Sequence, residues 1–403
     1  MLKASEFLNK QDKILFFLLK TSLLLVFLHS MNAWFLWKIT PAIAGAISFV
    51  FCFLYLITRP SLFSTRQIFI LSIFILVIVR LYVIRDANIN AYIEVFIRSS
   101  PLALIILLAY EKKIELLRFI TSTLGLLLFV SLLAWICFLA GCNLPHSSIE
   151  YNNGQYWFDN YYLFIHDLNP YFVIPRFSSV FLEPGHLGMI TSFLLFANRF
   201  ELKRIEVIIL LIATLFTFSL AAYILLFISV MFFLLVRTKK PLIYLSLFVV
   251  FLLIGYQFFS QYNNGNNIVN NLIIERLRIE DQSLAGDTRY SELMDSYYNE
   301  FIYSDKVFTG IGFNKYEKLN LGANAGYKVF IVQNGILGTL LLIFLYISFI
   351  LYHPSIEIIL LLLVYALSFL QRAYALWECE LIIFILAVAM YKTKEIKQHY
   401  AYG

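Results

Sequence analysis

IEVIILLIATLFTFSLAAYILLFISVMFFLLV, residues 205–236, decides the architecture of this chain. The stretch is almost wholly apolar and is closed by basic residues on both sides. Arg199, Lys203 and Arg204 precede it, and Arg237, Lys239 and Lys240 follow it. A membrane-spanning helix needs only about 20 apolar residues, so residues 205–236 read either as one over-long helix or as two short ones. One helix would put the two basic clusters on opposite faces of a bilayer. Two helices turning near Ser219 put both on the same face. Lys and Arg collect on the cytoplasmic side, so the spacing predicts a hairpin.

Working outward, similar apolar stretches fill most of the chain. They fall at 14–31, 41–58, 67–84, 92–110, 119–140, 178–198, 205–219, 220–236, 241–259, 329–351, 355–370 and 376–391. With the hairpin, Lys3, Lys10, Lys13, Arg59, Arg66, Lys112, Lys113, Arg118, both basic clusters, Lys392, Lys394 and Lys397 share one side. Both termini are then cytoplasmic. Lys38, Arg85 and Arg372 are the exceptions. The expected fold class is all-α: a polytopic integral membrane protein of about 12 transmembrane helices, forming a single domain over residues 1–403.

Composition agrees. Apolar residues make up 61% of the chain and charged residues 14%, where a soluble domain carries roughly 25% charged residues. The mean hydropathy is +0.79. Too little polar surface is present to coat a globule in water. The net charge of +6 lies mostly in short runs between apolar stretches, so it marks topology rather than nucleic-acid binding. Cys52, Cys137, Cys142 and Cys379 lack paired spacing, and no disulfide framework or metal site is expected. The first apolar stretch lacks a small-residue cleavage pattern and reads as a retained helix.

Two connections are long and polar, residues 141–177 and 260–328, and both are expected outside with short helices in them. The first carries Asn152, Asn153, Gly154, Trp157, Phe158, Tyr161, Tyr162, His166 and Asp167. Rings beside amides and carboxylates suit sugars, and equally suit an aromatic belt at a membrane interface. In the second, Asp287 can cap a helix on which Tyr290, Met294, Tyr297 and Phe301 recur at helical spacing. That helix is expected to lie flat on the bilayer or over a cavity. The run Glu275–Glu280 offers a second surface helix.

A charge at mid-bilayer costs about 2.5–3.5 kcal/mol on the mildest scale, so each needs a reason. Arg80 falls in the third stretch, Glu94 and Arg98 share a helical face in the fourth and are expected to pair, and Glu378 and Glu380 lie near the outer end of the last, close to Arg372. The strongest local sequence is RFSSVFLEPGHLG, residues 176–188. Pro184 and Gly185 should break the helix there, leaving Arg176, Glu183 and His186 on an outward-facing cavity.

Residues 176–188 resemble the R-x-x-x-x-F-x-E/D-P-x element of bacterial O-antigen polymerases (Wzy-type) and the related O-antigen ligases. Thr217-Phe218-Ser219 matches the family's T-x-S turn. Gly286-Asp287-Thr288-Arg289, followed by a helix and Gly310-Ile311-Gly312, is similar to its second-loop pattern. Asn324 and then Asn334-Gly335-Ile336-Leu337-Gly338 look like its entry into the next span. The resemblance covers roughly residues 170–340. Ligases commonly carry a His before the Asn equivalent to Asn324, and Ala323 stands here, which favours a polymerase.

The resemblance implies a GT-C-like, metal-independent glycosyltransferase with no cofactor, in the bacterial inner membrane. It would join oligosaccharide repeat units carried on undecaprenyl diphosphate at the periplasmic face, in lipopolysaccharide or capsular polysaccharide biosynthesis. A flippase and a chain-length regulator are the implied partners, and no nucleic acid. The leaving diphosphate calls for fixed cations, with Arg176 and Arg289 as the implied catalytic pair and Arg98, Arg276 and Arg278 supporting. The acceptor hydroxyl calls for a base, Glu183, or His186 in its place. Tyr290 and Asn324 complete the implied substrate-binding set. An O-antigen ligase and a lipid-linked-oligosaccharide flippase or other transporter remain the alternatives.

Overall fold

Apolar stretches of this length must satisfy their backbone groups internally wherever water is excluded, and helices do so. The computed structural model describes residues 2–58, 64–83, 89–152, 156–168, 176–238, 240–277, 279–280, 283–284, 291–321, 326–352, 354–371 and 376–401. Each predicted apolar stretch holds a helix. These are α1 (Leu2–Ser30), α2 (Pro41–Thr58), α3 (Thr65–Val83), α4 (Ile89–Leu107), α5 (Tyr110–Leu139), α6 (Pro184–Ala197), α7 (Ile205–Phe216), α8 (Leu220–Arg237) and α9 (Pro241–Gln261). After α10 (Glu292–Phe301) and α11 (Phe313–Leu319) come α12 (Gly326–Tyr352), α13 (Ile356–Gln371) and α14 (Glu378–Ala401).

Among the described residues, six helical segments are long and apolar enough to cross a membrane: Gln11–Ser30, Pro41–Thr58, Tyr110–Leu139, Leu220–Arg237, Pro241–Gly265 and Gly326–Leu351. The chain is therefore a mostly helical, membrane-embedded protein. The most telling of the six is α9, which buries no residue. Leu242 is 72% exposed and Phe251 68%, a surface that lipid tolerates and water does not.

The chain divides into two units. In the first (Met1–Ile120, Ser291–Leu362 and Phe369–Gly403), α1 packs on α2, α2 on α4, and α3 on α4 and α12, while α14 meets α1 and α4. Gly45 lets α2 approach α4 closely: a Cβ there would stand 2.8 Å from the Arg98 Cα. The C-terminal carbonyls of α4 are capped from neighbouring helices. Gln67 Nε2 donates to Ile106 O and Leu107 O, both at 3.2 Å, and Lys113 Nζ donates to Ile106 O at 2.8 Å.

In the same unit α10 starts at Glu292 with Ser291 as its cap, accepting from Met294 N at 3.4 Å. The predicted cap, Asp287, lies outside the described residues. The apolar stripe of α10 is not spread on a bilayer. Met294 and Phe301 pack with Tyr316 and Val332 into a small core against α11 and α12, because protein atoms stand close enough to cover the stripe first. Gly310 and Gly312, both at positive φ, strap this core onto a kink in α12 at Gly335 (φ 70°). Ile311 N donates to Val332 O (2.9 Å), Gly312 N to Gln333 O (3.0 Å) and Leu337 N to Phe308 O (3.1 Å). The kink frees carbonyls from the helix, and the strap satisfies them.

The second unit spans Thr121–Tyr290 and Leu363–Ser368. Here α6 packs on α7 and α8, and α8 on α9. Residues 205–236 form two helices, with the break at Thr217–Ser219. The first loop corrects its expectation. Its described residues form a three-stranded antiparallel sheet of β1 (Ser147–Tyr151), β2 (Tyr156–Asn160) and β3 (Ile165–Asp167), not short helices. Tyr, Trp, Phe and Ile favour a pleated, half-buried surface over a helix. The run at Glu275–Glu280 is likewise no surface helix. A π-turn at Asn270–Ile274 and a 3-10 turn at Glu275–Leu277 lead into β4 (Ile279–Glu280), which pairs with β5 (Ser283–Leu284).

Candidate functional site

The sixth apolar stretch was expected to be helical from residue 178 and broken at Pro184-Gly185. Instead the helix begins at Pro184, with extended Glu183 as its N-cap residue. Pro suits the first helical position, where its missing N–H costs nothing. Residues 176–183 consequently form an irregular lead-in, and that lead-in is fastened to the α7–α8 bend.

The fastening is specific. Arg176 Nε donates to Thr217 O at 3.0 Å, and Phe177 N to Phe216 O at 3.0 Å. Phe218, in the bend, takes a positive φ of 44°, a conformation that L-residues hold only when their surroundings over-determine it. Gly188 permits the contact between α6 and the bend, since a Cβ there would lie 2.5 Å from Ala222 Cβ and 2.9 Å from Thr217 Oγ1. Below this, Ser192 Oγ donates to Ala222 O (3.3 Å) and Thr214 Oγ1 to Thr191 Oγ1 (2.7 Å). Trp135 of α5 seats its ring between Phe177 (5.5 Å) and Phe216 (5.3 Å). Ser131 joins the lead-in to the first loop, accepting from Ser179 Oγ at 2.8 Å and donating to Leu163 O at 2.6 Å.

On this frame Glu183 and His186 form a pair, His186 Nε2 lying 3.6 Å from Glu183 Oε2. The His186 side chain is 5% exposed and that of Glu183 42%, so the carboxylate is the member that solvent or substrate can reach. Arg176 and Tyr223 lie within electrostatic reach of each other. The lead-in thus carries a cation fastened to the bend at one end and, at the other, a reachable carboxylate paired with a buried imidazole of α6.

Arg98 shares α4 with Glu94, its expected partner, but meets Glu378 of the first unit, with Nη2 2.8 Å from Oε2 and Nε on Oε1. Arg276 sits half-buried in the 3-10 turn after α9. Arg278, Arg289, Tyr290 and Asn324 fall outside the described residues. Sequence reading overlooked Trp135, Ser131, Thr191, Thr214 and Tyr223. Small polar residues inside apolar helices were the available signal, since Gly188 and Ser192 stand one helical turn apart.

The first loop adds a ring cluster in the same unit. Tyr161 stacks on Phe164 at 4.7 Å, and Phe138 meets Tyr161 at 5.0 Å and His166 at 5.5 Å. Burial pushes the His166 imidazole below its ordinary value, against the smaller upward pull of Asp159 and Asp167. Burial, with Asp159 beside it, pushes the Tyr161 phenol up. No family model, curated protein or solved structure matches this chain.

Proposed function

We propose that the chain is a polysaccharide polymerase, a glycosyltransferase that joins polyprenyl-diphosphate-linked oligosaccharide units into an O-antigen or capsular-type polymer. In this reading the fold is GT-C-like with about 12 spans. Both termini are cytoplasmic, and the two long loops stand on the periplasmic face of a bacterial inner membrane. The observation that carries the reading is the fastening of Arg176 to Thr217, with Glu183 at the end of the same lead-in and His186 in the first turn of the helix that follows. Two segments singled out by the family resemblance, 41 residues apart, meet there.

The chemistry follows from the side chains. A hydroxyl oxygen of the acceptor sugar forms the new bond to the anomeric carbon of the donor. The bond from that carbon to the diphosphate oxygen breaks, and its electron pair leaves with the diphosphate. Arg176 and Arg289, with Arg276 in support, oppose that negative charge. Glu183 accepts the hydroxyl proton, and His186 orients the carboxylate. A planar guanidinium fork matches two phosphate oxygens at once, so Lys is a poor substitute.

The test replaces Glu183 with Gln and, separately, Arg289 with Ala or Lys. Membrane levels are confirmed, and surface polysaccharide is resolved by length. Single-repeat decoration in all three variants is the expected result. Unchanged long chains would remove the residue concerned from the mechanism. Finished polymer accumulating on the carrier lipid would identify a ligase instead.

A further inference from the structure

The first-loop sheet has two unlike faces. In antiparallel pairs, directly opposed residues point to the same side. Phe158, Asn160 and Ile165 are buried on one side. On the other, Glu150 stands opposite Trp157, and Asp159 stands opposite both Ser148 and His166. Trp157 is 51% exposed, although its side chain is among the costliest to leave in water. Ser148 Oγ donates to Asp159 Oδ1 at 3.4 Å, which holds that carboxylate on the outer side. Glu150 is exposed beside the ring.

We infer that this outward face is a saccharide-binding platform, with a pyranose ring lying on Trp157 and its hydroxyls donating to Glu150 and Asp159. The inference rests on the glycosyltransferase reading for the source of the sugar, a glycan chain near the site of its extension. The match is chemical. The C–H face of a pyranose carries slight positive charge and suits the negative face of an indole. Its hydroxyl rim needs acceptors, and a carboxylate supplies two oxygens that form the stronger, charge-assisted hydrogen bonds. The rival occupant of an exposed Trp is the bilayer interface, where anionic headgroups favour Lys and Arg nearby. No Lys or Arg occurs between Arg118 and Arg176, whereas Glu150, Asp159 and Asp167 all fall there. A face carrying Glu150 and Asp159 repels anionic lipid and accepts from hydroxyl groups.

The test uses the full chain in nanodiscs on an array of defined bacterial oligosaccharides without lipid carriers. Wild type should bind a subset. Trp157→Ala should weaken that binding about tenfold, the equivalent of about 1.4 kcal/mol. Trp157→Phe should retain most of it, and Glu150→Gln and Asp159→Asn should each weaken it severalfold. No binding by wild type, or equal binding by Trp157→Ala, would overturn the inference. So would strong quenching of Trp157 fluorescence by brominated lipid, which would seat the ring in the bilayer. No glycosidic bond forms on the array. Binding there, together with finished polymer accumulating on the carrier lipid in cells that lack the chain, would keep the platform and remove the polymerase.

Discussion

Arg176 donates its Nε to the carbonyl oxygen of Thr217 at 3.0 Å, tying the end of the first loop to the bend between two apolar helices. The same carbonyl would otherwise lack a helical partner at the end of α7. The bond thus gives Arg176 a structural duty beside its proposed catalytic one. Arg176→Ala should lower stability by about 1–2 kcal/mol, the worth of a partly buried charged hydrogen bond. Arg176→Gln, which keeps an N–H donor without the charge, should recover stability but not polymer length. Thermal unfolding in detergent and polysaccharide ladders measure the two separately. Equal loss of both in each variant would make the residue purely structural.

Gly188 should tolerate no larger side chain. Gly188→Val drives atoms into Ala222 and Thr217 and should cost about 1–3 kcal/mol by overpacking. Gly188→Ala is milder, and Ala222→Gly in the same chain should relieve part of it, because the nearest clash is Cβ on Cβ. Strictly additive effects in that double variant would argue against direct contact.

The strap on α12 makes a third prediction. A Cβ on Gly310 would lie 2.3 Å from Gln333 O, and one on Gly335 2.4 Å from Phe308 O, both at positive φ. Gly310→Ala and Gly335→Ala should each cost at least about 2 kcal/mol through clash and backbone strain. Faster proteolytic cleavage within residues 292–321 is the readout.

Glu378 is 7% exposed and depends on the Arg98 fork. Arg98→Ala removes the fork from that carboxylate and should cost about 2–3 kcal/mol, less than the roughly 3–5 kcal/mol of a fully buried pair because Arg98 is 42% exposed. Adding Glu378→Gln should restore part of the loss by removing the stranded charge. A double variant no more stable than Arg98→Ala alone would dismiss the pair.

The first-loop sheet should weaken in mild acid. Its folded form lowers the His166 pKa, so the unfolded chain takes up a proton more readily. The stability contributed by the neutral ring is complete above the ordinary value of 6.5. It falls as pH drops below that and levels off beneath the lowered folded value. Hydrogen exchange of the amides at 156–168, compared at about pH 7.5 and pH 5, measures the effect. His166→Gln should flatten it.

Helices and the need for lipid were legible along the chain. Both depend on the composition of about 20 neighbouring residues at a time. The split of residues 205–236 into α7 and α8 could be read that way. The first-loop strands were missed because rings at irregular spacing mark an interface belt as well as a sheet. Contacts between distant segments belong to the tertiary structure alone. Nothing local announces that Arg98 will meet Glu378, 280 residues on, or that Gly310 will close on Gln333. Such pairings are set by which helices lie side by side, a property of the whole packed chain rather than of any window of it.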